Sequence, residues 1–225
     1  MALIDFTSDL PRRGRPAVLD YASLKAPYFI LASLAASLLV IGTAFLIEGQ
    51  TAIGWRLAAE NIQRFSFFFF LPVFVVVPLA RLFPALGLRP VALDRHKLVL
   101  AFATAFAVSL VCLIAPYQAD SLSTLLHRVP ATTFAYVLFG LGALLVMLAG
   151  AHDGAARYLG RWFVRLMDRC ALIYFWALFG FAAVDHLMGP HRPDGFFGFS
   201  LILLVAALLI RFAASFAEMR KAALA

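Results

Sequence analysis

Leu98-Val99-Leu100-Ala101-Phe102-Ala103-Thr104-Ala105-Phe106-Ala107-Val108-Ser109-Leu110-Val111-Cys112-Leu113 decides the fold. The run carries no charge and continues apolar to Tyr117. At about 1.5 Å rise per residue, a helix of about 20 residues crosses about 30 Å of hydrocarbon. The stretch 98–117 also contains no histidine, an absence that bears on every functional reading. Five further blocks have the same character: 26–47, 65–83, 133–151, 170–188 and 196–216. Lipid offers no partner to backbone N–H and C=O groups, so each block must be helical. With 64% of the 225 residues hydrophobic and the charges confined to the gaps, an all-α polytopic membrane protein is expected, a six-transmembrane-helix bundle.

Arg12, Arg13 and Arg15 precede the first block, as in a signal peptide, but the block is long and has no small-x-small cleavage site before Glu48. It reads as a retained helix. With the N-terminus cytoplasmic, six crossings return the C-terminus to the same side. Only Arg56, Arg64, Arg128 and Arg192 then lie outside, and the other fifteen of the 19 Lys and Arg lie inside, as the positive-inside rule requires. The net charge of +7 is spread over four segments at membrane edges, which points to anionic lipid headgroups and away from nucleic acid. Cys112 and Cys170 are expected about 20 Å apart in depth, too far for a disulfide, and both are expected to be buried small apolar residues.

Residues 1–25, with Pro11 and Pro16, are expected to form a cytoplasmic N-terminal arm, 26–216 the transmembrane domain and 217–225 a cytoplasmic tail. No GxGxxG or Gly-rich phosphate loop is present, so any redox role needs a separate electron donor. Short loops imply antiparallel neighbours. Pro72 and Pro78 should kink the second helix, chiefly as a packing device. Phe65, Phe67, Phe68, Phe69, Phe70 and Phe74 crowd that helix, and Phe175, Trp176, Phe179 and Phe181 line the fifth; bundle packing and lipid contact are their simplest uses.

Three stretches carry a resemblance to a known family. Gly54-Trp55, Asn61-Ile62-Gln63-Arg64-Phe65-Ser66-Phe67 and Pro78-Leu79-Ala80-Arg81-Leu82 form the first, with Arg at one edge of the second helix and Pro-Leu-x-Arg at the other. Arg95-His96-Lys97-Leu98-Val99-Leu100-Ala101-Phe102 opens the third helix. Trp162 through Asp168-Arg169, followed by Tyr174-Phe175-Trp176-Ala177-Leu178-Phe179, makes the third stretch. Together they resemble the ferric-reductase-like transmembrane domain family, in its bacterial branch, similar to the haem-binding membrane subunit of the periplasmic methionine sulfoxide reductase system. The resemblance implies b-type haem held by imidazoles between the third and fifth helices. The positions it assigns to those ligands are Phe106 and Ser109 on the third helix and Asp168 and Phe181 on the fifth. None offers an imidazole, and Asp168, between Arg165 and Arg169, reads as a cap or ion-pair partner.

His96 and His186 are the residual haem-ligand candidates. His96 more simply replaces an Arg at headgroup level, or is a pH-sensitive partner for Asp168. His127, His186 and His191 fall on the outer side with Asp120, Asp185 and Asp194, but no tight motif links them into a metal site. His152 beside Asp153 reads as a solvated loop residue. Ser121, His127 and Asp120 could be written as a triad, yet no elbow or oxyanion arrangement supports one.

The expectation is a bacterial inner-membrane protein of ferric-reductase-like fold that has lost haem binding, has no cofactor or metal, and serves as a non-catalytic scaffold or partner subunit. Phe106 and Phe181 would fill the vacated haem volume. The alternative is a haem b transmembrane electron-transfer subunit. Expected partners are the bilayer and another membrane or periplasmic redox protein. A transporter ranks last, because the helix centres are almost free of charge.

Overall fold

The computed structural model describes residues 26–117, 129–150, 160–188 and 195–224. Seven α-helices occur among them and no strand: α1 (Ala26–Glu48), α2 (Ala52–Leu82), α3 (Arg89–Leu93), α4 (Arg95–Ile114), α5 (Ala131–Gly150), α6 (Arg161–Met188) and α7 (Gly195–Leu224). All but the one-turn α3 are long and apolar enough to cross a membrane. The expected arm, 1–25, lies outside the described residues, and the expected tail is no separate element, because α7 runs on through Leu224.

Two helices begin well before their apolar blocks. The 31 residues of α2 span about 46 Å, more than the hydrocarbon thickness, so its first turns stand clear of it. Thr51 caps α2, its hydroxyl accepting from the Gly54 N–H at 3.1 Å. Gly49, at φ 69°, ends α1 in the left-handed conformation, and a Cβ on Gly54 would lie 2.1 Å from the Gly49 carbonyl oxygen. Only glycine permits so tight a turn between α1 and α2. In α6 the early start leaves Asp168 two turns inside the helix, so it is not a cap.

α4 packs along α2, and α1 lies against that pair. On the other side α5 packs on α4 and α6, α6 on α7, and α7 on α2, closing a five-helix ring. Aromatic rings fill its interior: Phe67, Phe70 and Phe74 of α2, Phe102 and Phe106 of α4, and Phe175 and Phe179 of α6. Lipid is as apolar as this core, so burial alone gives helices little reason to associate; close packing and polar links between them supply it. The Ser33 hydroxyl of α1 donates to the Ala101 carbonyl of α4 at 2.8 Å, and the Trp176 indole of α6 donates to the Leu204 carbonyl of α7 at 3.0 Å. Gly140 lets α5 approach α4 at Phe106, and Gly150 lets it approach α6 at Asp168, where an added Cβ would lie 3.1 Å and 3.0 Å away.

The expectation for the cysteines holds in part. Cys112 is buried, whereas Cys170 is exposed on α6.

Candidate functional site

The four positions that the resemblance assigns to haem ligands have separate fates. Phe106 is fully buried, its ring centroid 5.0 Å from Phe175 and 5.6 Å from Phe102. The Ser109 hydroxyl donates to the Phe106 carbonyl within its own helix, at 2.7 Å. Asp168 receives both terminal nitrogens of Arg95, at 3.0 and 3.2 Å. Phe181 is 75% exposed. It faces away from the ring, so the expectation that it fills vacated volume fails; its helical phase, about half a turn past Phe179, turns it outward. The space between α4 and α6 is therefore closed by Phe102, Phe106 and Phe175. A bis-imidazole haem does not fit these residues: aromatic carbons take the slot, and the one carboxylate is engaged by a guanidinium.

His96 and His186 do not replace the missing ligands. His96 opens α4, level with Asp168 through its neighbour Arg95, whereas His186 lies about 27 Å further along α6 by helical rise. They cannot share one iron. Nor does His96 partner Asp168, whose oxygens both face Arg95. His127, His152, His191, Asp120, Ser121, Asp153 and Asp194 lie outside the described residues. Among the described residues, no group of three His, Cys, Asp or Glu side chains is placed to hold a metal ion.

His186 belongs to a small cleft at the end of the bundle where α2 and α7 begin. Its ring stacks on Phe197 with centroids 3.9 Å apart, and its Nδ1 lies 3.0 Å from the Ala182 carbonyl, an arrangement in which Nδ1–H donates. The Arg64 guanidinium sits over the rings of Phe197 and Phe196, 5.0 and 5.4 Å from their centroids. Glu60, Gln63 and Ser200 complete a cavity of about 40 Å³. That holds a few water molecules and is far below the several hundred Å³ of a small-molecule site.

The opposite end is strongly basic and is organised by Pro78. A proline inside a helix lacks the N–H that would bond the carbonyl four residues back, here that of Phe74. Side chains from other helices donate to carbonyls of this turn. Arg211 of α7 donates to the Phe74 carbonyl at 3.2 Å, with its guanidinium 4.5 Å from the Phe74 ring centroid. Arg95 of α4 donates through Nε to the Val73 carbonyl at 3.2 Å while gripping Asp168 of α6. Arg81, near the end of α2, pairs with Glu218 of α7.

Sequence reasoning missed this constellation. Pro78 identifies the Phe74 carbonyl as needing a donor, but nothing in the sequence names Arg211 as that donor. No protein-family model, curated protein or solved structure matches this chain.

Proposed function

We propose that this chain is a multi-pass membrane protein of ferric-reductase-like arrangement that does not carry haem and acts as a non-catalytic scaffold or partner subunit. One observation supports the reading: Phe106 is fully buried and packed on Phe102 and Phe175, between the two helices where the resemblance would put the cofactor. A bundle that had merely lost its ligands would keep a cavity worth several kcal/mol, by order of magnitude. Here aromatic packing takes that volume.

The placement that goes with this reading is the bacterial inner membrane, with both termini cytoplasmic. The distribution of cations supports it. Among the described side chains, Arg81, Arg89, Arg95, Lys97, Arg165, Arg169, Arg211 and Arg220 belong to the Pro78 end and only Arg56 and Arg64 to the other. The partner is another membrane or periplasmic protein.

The test is the visible absorption spectrum of protein purified in gentle detergent after expression with ample haem, oxidised and dithionite-reduced. No Soret band is expected, together with co-purification of a partner. Near-stoichiometric haem whose Soret band shifts on reduction would overturn the proposal in favour of a haem b electron-transfer subunit. A monodisperse protein without a partner would count against the scaffold role.

A further inference from the structure

The connection between α2 and α4, Phe83-Pro84-Ala85-Leu86-Gly87-Leu88-Arg89-Pro90-Val91-Ala92-Leu93, contains a single charged residue. It leaves Phe83, Leu86 and Leu93 at 51%, 60% and 58% exposure, an apolar surface outside the long helices. The connection is not an open loop. Pro84–Leu86 and Arg89–Leu93 are helical turns about 6 and about 8 Å long. Gly87, at φ 63°, joins them in the left-handed conformation. The Leu86 N–H donates to the Phe83 carbonyl at 3.1 Å, Ala92 to Leu88 at 3.0 Å and Asp94 to Pro90 at 3.0 Å, while Pro84 and Pro90 have no N–H to satisfy. A backbone that serves its own donors can lie where water is scarce. Arg89 is exposed and forms no ion pair or hydrogen bond with the described residues, whereas Asp94, the first carboxylate after it, is held by Lys97 at 3.0 Å.

We propose that residues 83–93 anchor this end of the bundle in the boundary between lipid headgroups and acyl chains. Phe83 and Leu93 enter among the first acyl carbons, Leu86 lies at headgroup level, and Arg89 meets the phosphate of an anionic lipid. Position selects the bilayer over a soluble partner. Phe83 follows the last residue of α2, and only Asp94 separates Leu93 from α4, so both ends are tied where apolar spans stop. Two turns this short cannot carry the segment away from that boundary. Leu86, in the middle of the connection, is the exposed apolar residue most removed from the spans along the chain. The residue types suit the place: an aromatic ring sits well at the interface, and a guanidinium reaches phosphate while its stem stays among apolar groups.

The experiment places a nitroxide at Phe83→Cys or Leu93→Cys in the full chain carrying Cys112→Ala and Cys170→Ala. The protein is reconstituted in phosphatidylcholine vesicles with roughly one third phosphatidylglycerol. Accessibility is measured to oxygen, which concentrates among acyl chains, and to a neutral, water-soluble nickel chelate. At both positions the oxygen-to-nickel ratio should exceed that of a nitroxide at Gln50→Cys, in the turn between α1 and α2, by about three-fold. Thermal melting of each labelled protein checks that it folds. Ratios equal to that at Gln50→Cys overturn the proposal by placing the connection in water. Low accessibility to both reagents overturns it by making a protein chain the cover. With the label at Leu93→Cys, Arg89→Gln should raise nickel accessibility about two-fold in these vesicles and leave it unchanged in phosphatidylcholine alone. An Arg89→Gln chain indistinguishable from its parent in both vesicles overturns the phosphate contact.

Discussion

Phe106 and Phe181 are the same side chain in opposite surroundings, 0% and 75% exposed. Phe106→Ala should cost about 3–5 kcal/mol, because the wall behind it, with Gly140 already in close contact, cannot collapse into the vacated volume. Phe181→Ala should change stability by less than about 0.5 kcal/mol. Unfolding titrations of both variants in mixed micelles check the pair, and equal losses would show that the two rings are not divided between core and lipid. Asp168 teaches a related point. The sequence places it between Arg165 and Arg169, and local spacing suggests those partners, yet the bidentate hydrogen bonds come from Arg95, 73 residues away. The carboxylate's need for a cation was legible; the identity of that cation was not.

At the level of the element, α2 is a continuous helix that lacks a backbone donor at Pro78 and is served there from another helix. Pro78 removes one backbone donor, and Arg211 supplies its replacement at Phe74. Arg211→Ala in the parent chain leaves that buried carbonyl without a donor, at a cost of about 1–3 kcal/mol. In a Pro78→Ala background residue 78 regains its N–H, the helix can bond the Phe74 carbonyl itself, and the same substitution should cost at least about 1 kcal/mol less. A double-mutant cycle measures that coupling. A loss that is the same in both backgrounds would mean that Arg211 contributes only through the Phe74 ring. The missing backbone donor at Pro78 was legible because it follows from covalent chemistry. The early starts of α2 and α6 were not, because hydropathy marks where a helix meets lipid, while Thr51 and the tight turn at Gly49 and Gly54 set where α2 begins.

For the whole molecule, the proposed orientation makes a direct prediction. In a background lacking the native thiols, through Cys112→Ala and Cys170→Ala, single cysteines go into two exposed positions. Gln50 sits between α1 and α2, and Leu86 between α2 and α4. A membrane-impermeant thiol reagent added to spheroplasts should label Gln50→Cys and leave Leu86→Cys unlabelled until the membrane is opened. The reverse pattern would invert the topology and place the basic end outside.

The sequence by itself determined the six apolar spans and the helical state of each, because insertion into lipid depends on the composition of one segment and on the satisfaction of its own backbone. It also determined that α2 would lack a backbone donor at Pro78, and that the four positions linked by resemblance to haem ligation hold Phe106, Ser109, Asp168 and Phe181. Only the tertiary structure decided the order of helices around the ring, the turning of Phe106 inward and Phe181 outward, the choice of Arg95 by Asp168, and the choice of Arg211 by the Phe74 carbonyl. The physical reason is that a membrane helix is apolar on its lipid face and its packed face alike. Periodicity therefore carries little information about rotation, and each helix is turned instead by close packing at small residues and by polar groups that must find partners on a neighbour.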